Sequence, residues 1–204
     1  MKHKPRILMI SIVLIVIICF IGIRFLTGSS ENTSIEDIKK IHAQQTFAQK
    51  EDEYIVYFWQ STCTYCEQIE EEVLKFSNNG KIPILIVDMQ DAANIGSWYD
   101  WEAHHKKYDK VIGKIEDGKE MLNEGVNLDD FKNDLKVAWS VEATEDKQII
   151  AKHNTPYGNE TPANAGEIQI TGTPTMIKVK NGKFAGYAVG VDETVDMLKE
   201  IETN

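Results

Sequence analysis

Residues 54–59, Tyr-Ile-Val-Tyr-Phe-Trp, are an unbroken β-branched and aromatic run that reads as a buried strand. A three-residue loop, Gln60-Ser61-Thr62, separates it from Cys63. From Cys63 to Ser77 the spacing predicts a helix: Cys66, Ile69, Val73 and Phe76 share one face while Glu70, Glu71 and Glu72 face water. Asn78-Asn79-Gly80 ends it, and Ile82 to Val87 is the next strand, closed by Asp88. A strand, a helix and a strand this close predict a right-handed parallel βαβ unit, and with it an α/β chain.

The C-terminal end is as legible. Thr175 to Val179 reads as a strand, Asn181-Gly182 as a two-residue hairpin turn, and Phe184 to Val189 as the returning strand. After Gly190, Val195, Leu198 and Ile201 recur at helical spacing. Upstream of the first strand, Gly28 to Thr33 is a polar linker. Thr33 or Ser34 can cap a helix, with Asp37 three residues after Ser34, and Ile35, Ile38 and Ile41 carry that helix to about Ala48. Between the two halves, residues 89–171 read as helical over Trp98–Ile112, Glu116–Asn123 and Leu128–Trp139. Residues 154–166, rich in Asn, Gly, Pro and Thr, read as a loop.

The first 27 residues are a separate matter. Ile7 to Ile23 is apolar apart from Ser11 and Gly22, and Lys2, Lys4 and Arg6 precede it. Basic residues on the short flank keep that end in the cytoplasm. A secretory hydrophobic region is ~7–15 residues long with small residues at its cleavage site, and this run is longer with no such site. Ile7–Leu26 would span roughly 30 Å at about 1.5 Å per residue, so a retained transmembrane anchor is favoured over a cleaved signal. Cys19 within it reads as a small apolar residue of that helix. The expected division is therefore 1–27 as cytoplasmic tip and anchor, 28–33 as linker and 34–204 as the folded domain, single-pass and extracytoplasmic. All 32 Asp and Glu lie beyond residue 30, against 18 of the 22 Lys and Arg, a net of −14 for the body. That charge disfavours nucleic acid and anionic lipid as partners of the domain.

Chemistry concentrates at Cys63-Thr64-Tyr65-Cys66. Two cysteines two residues apart at a helix N-terminus can cycle between dithiol and disulfide. Cys63 sits where unpaired backbone N–H groups and the helix dipole stabilise a thiolate, which makes it the expected nucleophile. Cys66, one turn inward, is placed to resolve a mixed disulfide. A zinc site needs about four ligands, and no second cysteine pair is present, while His104, His105 and His153 form no pattern. No metal or bound cofactor is expected; the redox group is the Cys63–Cys66 pair itself.

At two separated places the sequence resembles the thioredoxin superfamily: Phe58-Trp59-Gln60-Ser61-Thr62-Cys63-Thr64-Tyr65-Cys66, and Thr171-Gly172-Thr173-Pro174-Thr175 followed by Asn181-Gly182-Lys183 and Gly190. The resemblance implies a thioredoxin fold, a central mixed sheet flanked by helices, over residues 34–88 and 171–202. It implies that Pro174 is cis beside the active-site sulfurs, that Thr173 offers its backbone to a substrate strand, and that Trp59, Thr64 and Tyr65 frame the active-site loop. A large insertion before the proline resembles the bacterial extracytoplasmic disulfide oxidases, whose insert is helical, and a helical subdomain is expected here in preference to an elaborated loop. Tyr57 stands where thioredoxins keep a buried carboxylate, which argues against cytosolic reductase duty. The resemblance thus implies a monomeric thiol–disulfide oxidoreductase for cysteine-containing exported proteins, leaning oxidase or isomerase. The alternatives are a catalytically quiet binding or assembly module, and a reductase relay fed by a membrane redox partner. Trp98, Tyr99 and Trp101 read as packing of the insert in preference to a lid over the cysteines.

Overall fold

The computed structural model describes residues 31–203. The expected anchor, Cys19 and the first half of the linker, 28–30, lie outside the described residues, among which no helix is long and apolar enough to cross a membrane.

The centre of the molecule is a four-stranded mixed sheet in the order β2-β1-β7-β8. Strand β1 (Glu53–Trp59) pairs in parallel with β2 (Ile84–Asp88) and antiparallel with β7 (Thr175–Lys180), which pairs antiparallel with β8 (Lys183–Val189). Every β1 residue after Glu53 is buried, because alternate side chains enter different cores. Ile55, Tyr57 and Trp59 join Ile84, Ile86 and Met176 on one face; Tyr54, Val56 and Phe58 join Leu85, Val87, Ile177 and Val179 on the other. Asn181 and Gly182 both have positive φ, 51° and 69°, the conformation a tight primed hairpin turn needs.

The first face is covered by α1 (Thr64–Gln68), α2 (Glu70–Asn79) and α5 (Gly190–Thr203), which bury Cys66, Ile69, Val73, Phe76, Leu198 and Ile201. The expected single helix from Cys63 to Ser77 is thus two pieces. Ile69, at φ −107° and ψ 6°, breaks them, and its N–H takes the carbonyl of Cys66, three residues back. Gly80 ends α2 where no side chain fits: a Cβ there would lie 2.6 Å from the Phe76 carbonyl oxygen. The opposite face is covered by short 3-10 turns and loops, with Phe47, Trp98, Ile168 and Ile170 packed in.

Two further expectations are corrected. No helix runs from Ser34 to Ala48; the segment holds 3-10 turns at Ile35–Asp37 and Ala43–Gln45. Between them Lys40 bridges Ile86 in parallel, with Ile41 N–H to Ile86 O at 2.8 Å and Ile86 N–H to Lys39 O at 2.9 Å. The three isoleucines that suggest one helical face divide between both cores, Ile35 and Ile38 on one side and Ile41 on the other. Pairing with the free edge of β2 outweighs the local preference.

The second correction is larger: the insertion is organised around an antiparallel sheet. A helix, α3 (Trp101–Tyr108), leads into an antiparallel sheet of order β4-β3-β6-β5, formed by β3 (Lys110–Glu116), β4 (Lys119–Leu122), β5 (Trp139–Ala143) and β6 (Gln148–His153). One further turn of helix, α4 (Asp129–Lys132), lies between β4 and β5. The β3–β4 turn is Asp117-Gly118, both at positive φ, in the middle of what reads as helix-compatible sequence. Along β6, Ile149, Ala151 and His153 point inward, the period of two that a half-buried strand requires.

The insert is pinned by a polar chain centred on the buried His104 and His153. Tyr157 N–H donates to Tyr99 Oη (3.2 Å), which lies 2.7 Å from His104 Nδ1. His104 Nε2 lies 2.9 Å from His153 Nδ1 and 3.0 Å from His153 O, and His153 Nε2 lies 3.1 Å from Tyr157 Oη. Burial holds the His104 pKa below its ordinary value of 6.5, against the hydrogen bond to the His153 carbonyl, which favours the charged ring. The unfolded chain therefore takes this proton more readily than the folded one, so the contribution to stability is complete above about pH 6.5 and declines as pH falls below it. Thermal unfolding should show a lower Tm at about pH 5 than at about pH 7.5, and His104→Gln should lessen the difference. Equal sensitivity in the variant would assign the acid loss to other groups.

Candidate active site

The site lies where β1 ends and α1 begins. Trp59 closes β1, almost fully buried, with Lys40 Nζ 5.6 Å above its ring and its carbonyl accepting from Met89 N–H at 2.8 Å. The 60–62 loop is held by Gln90: its Oε1 accepts from Ser61 N–H (3.0 Å) and Ser61 Oγ (2.7 Å). Nothing in the local sequence marks Gln90 for this role. Its register just past the end of β2 places it there, with its own N–H on Asp88 Oδ1 at 3.0 Å.

Cys63 is the N-cap of α1. Its Sγ accepts the Cys66 N–H at 3.1 Å, satisfying one of the unpaired donors that open a helix. The same sulfur donates to the Thr173 carbonyl at 3.3 Å, and the Thr173–Pro174 peptide bond is cis. Residues 110 positions apart thus meet at one sulfur. In this reduced form the Thr173 carbonyl that the resemblance offers to a substrate is occupied by the Cys63 thiol. Thr173 Oγ1 donates to Gln60 Oε1 at 3.1 Å, and Thr175 Oγ1 to Gly172 O at 2.7 Å, so side chains from both halves brace the loop. Thr64 and Tyr65 are the first helical residues and both are exposed, Tyr65 at 62%.

The two cysteines are free thiols in different surroundings. Cys63 is half-buried at the rim of a groove of about 400 Å³ lined by Trp59, Gln60, Thr62, Thr64, Glu67 and Glu70. Cys66 is 1% exposed. Burial, with the Cys63 sulfur adding, pushes the Cys66 thiol up to about 11, while the Gln60 backbone, the Tyr57 hydroxyl and Thr173 pull the other way. One sulfur is therefore open to an incoming disulfide and held by one helix amide; the other is sheltered and protonated at neutral pH. A larger hollow, about 750 Å³, lies against β8 and α5 away from the cysteines, and no cysteine lines it.

Residues of the insert reach this site only indirectly. Ile170 N–H donates to Ser97 O (2.8 Å), Tyr99 N–H to Ile170 O (3.0 Å) and Trp101 Nε1–H to Thr171 O (3.0 Å), which ties the start of the insert to the loop carrying Thr173. Trp98 packs on the core with its Nε1–H on Met89 O at 3.1 Å. These aromatics pack, and one of them braces the proline loop. Among the described residues no group of three or more His, Cys, Asp or Glu side chains is arranged to hold a metal ion.

No curated protein matches the chain. Solved structures similar to it include mitochondrial thioredoxin 3 from Saccharomyces cerevisiae, at 11% identity over 83% of this chain and 97% of that one, TM-score 0.39. Thioredoxin from Malassezia sympodialis is 12% identical over 85% and 98%, TM-score 0.39. A thioredoxin pre-protein from Schistosoma mansoni is 16% identical over 80% and 94%, TM-score 0.36. The family model described as a thioredoxin-like domain matches residues 41–202, well over half of the sequence, and the chain belongs to that family.

Proposed function

We propose that this chain is a thiol–disulfide oxidoreductase for cysteine-containing exported proteins, held on the outer side of a bacterial membrane by its N-terminal segment. The observation that supports it most is the placement of the Cys63 sulfur, capped by the Cys66 amide at 3.1 Å and set against Thr173 at 3.3 Å beside Pro174. In the reducing direction the Cys63 thiolate bonds to one substrate sulfur and expels the other. Cys66 then bonds to Cys63, the substrate sulfur leaves with the electron pair, and the proton of Cys66 goes to it or to water. Oxidation runs the same steps backward, from a substrate thiolate attacking Cys63 in the Cys63–Cys66 disulfide. The pair needs no bound cofactor; a membrane redox partner would reset it, and the domain works as a monomer.

The direction favoured is oxidase or isomerase. Outside the membrane no cytosolic thiol pool keeps such a pair reduced. Tyr57 gives Cys66 no carboxylate to take its proton.

Topology and activity are tested together. The full-length protein should sediment with membranes, and a membrane-impermeant maleimide should label Cys63 on intact cells. The oxidised protein should also speed the appearance of disulfides in a reduced, unfolded reporter. Labelling only after lysis would contradict the location, and a shortened protein in the medium starting near residue 28 would show a cleaved signal. No acceleration with a reactive Cys63 would favour the binding module.

A further inference from the structure

The sheet face against which α1 buries Cys66 carries Tyr57 of β1, a fully buried tyrosine in the same packed cluster. Its hydroxyl is one of two side-chain polar atoms among the described residues that are buried with no hydrogen-bond partner. The packing alone does not require that oxygen: phenylalanine would fill the same space without burying a polar group at a cost. After burial itself, Cys66 is the group that acts most strongly on this hydroxyl, and Cys63 follows. The influence is mutual, since the Tyr57 hydroxyl is one of the groups that favour a Cys66 thiolate.

We infer that Tyr57 is a positioning residue for the resolving step, its buried hydroxyl donating a hydrogen bond to the Cys66 thiolate as that thiolate forms. The inference rests on the exchange reading proposed above. Tyr57 cannot act as the base, because burial and the cysteine charges raise its own pKa far above the ordinary value of 10.0. It donates and keeps its proton. In the step itself Cys66 loses its proton to the leaving substrate thiolate or to water. The Cys66–Cys63 bond forms, the Cys63–substrate bond breaks, and the substrate sulfur takes the electron pair. The buried, high-pKa Cys66 is the group that limits this step, and a donor without a partner lies in the same packed cluster. In the dithiol form the hydroxyl stays unpartnered; the bond is made when charge appears on Cys66. Such a hydrogen bond to a charged sulfur is worth about a tenfold change in thiolate population, or about one pH unit.

Tyr57→Phe tests this in the full chain. In a Cys63→Ser background the rate of Cys66 alkylation by iodoacetamide at neutral pH, mapped by mass so that Cys19 is read separately, tracks its thiolate fraction. That rate should fall about tenfold when Tyr57→Phe is added. With Cys63 intact, the glutathione mixed disulfide at Cys63 should resolve about tenfold more slowly, and the pH–rate profile should move up by about one unit. Equilibrium unfolding should show stability unchanged or raised, since an orphan hydroxyl is removed. An unchanged Cys66 alkylation rate, or a Tyr57→Phe variant that is destabilised with an unmoved pH profile, would overturn the inference and leave Tyr57 a packing residue. Alkylation needs no exchange partner. Slowed alkylation in a protein whose wild type fails to oxidise a reporter would therefore uphold this inference and defeat the proposed activity.

Discussion

Cys63→Ser should bring disulfide exchange down to the uncatalysed rate, while Cys66→Ser should leave attack intact and trap substrates as mixed disulfides. The asymmetry follows from where the sulfurs sit. Cys63 is half-buried at a groove and capped by the Cys66 amide at 3.1 Å, whereas Cys66 is 1% exposed and its thiol is pushed up to about 11. Only thiolate attacks, so removing Cys63 removes the only sulfur of the pair that a protein substrate can reach. Removing Cys66 leaves the first bond formed and no internal thiol to release it. Non-reducing gels followed by mass mapping read both results. Trapping by Cys63→Ser, with none by Cys66→Ser, would reverse the two roles.

Phe58→Ala should be the most damaging single change to the fold, at a cost of about 3–5 kcal/mol. Phe58 is completely buried, in the core on the sheet face opposite the cysteines, between β2 and β7. Truncation removes the transfer energy of a ring and leaves a cavity in the central strand, which is held on both sides and cannot collapse. Urea unfolding measures the loss. Because Tyr57 and Trp59 face the other way, the folded fraction should keep its Cys63 reactivity. A cost below about 1 kcal/mol would mean that this face is loosely packed.

The parts of the fold that can be read from sequence are those where local pattern and tertiary structure agree. Residues 54–59 are apolar at every position because β1 is central and covered on both faces. Asn181-Gly182 turns because both residues accept positive φ. The cysteine pair is legible for the same reason, a strand end followed by a helix start. The insert is not, because its deciding signals are short. Asp117-Gly118 sits inside a stretch of helix-compatible spacing, and reading a helix across it hides the β3–β4 hairpin. The isoleucines at 35, 38 and 41 suggest one helical face, yet pairing at Ile86 sends them to both sides of the sheet. His104 and His153 are 49 residues apart, and only the fold joins them. Gln60 and Gln90 are ordinary loop residues until the structure sets them on Thr173 and Ser61. The sequence marks Tyr57 as a departure from the family, but that its hydroxyl has no partner is a fact of packing alone.

The central claim is that Cys63 and Cys66 are a working redox pair suited to the outside of the membrane, and its reduction potential tests this most directly. Equilibration with a glutathione series, read by alkylation and mass, should give a single two-electron transition. The midpoint should lie above about −270 mV and below about −120 mV, between thioredoxin and the strong periplasmic oxidant. The helix cap at Cys63 stabilises the reduced form, which raises the potential, and the exposed Thr64 and Tyr65 side chains add no further bond to that sulfur. A potential at or below about −270 mV would contradict the oxidase-leaning account and indicate a reductase fed from the membrane. No transition at all would remove the redox function and leave a binding module.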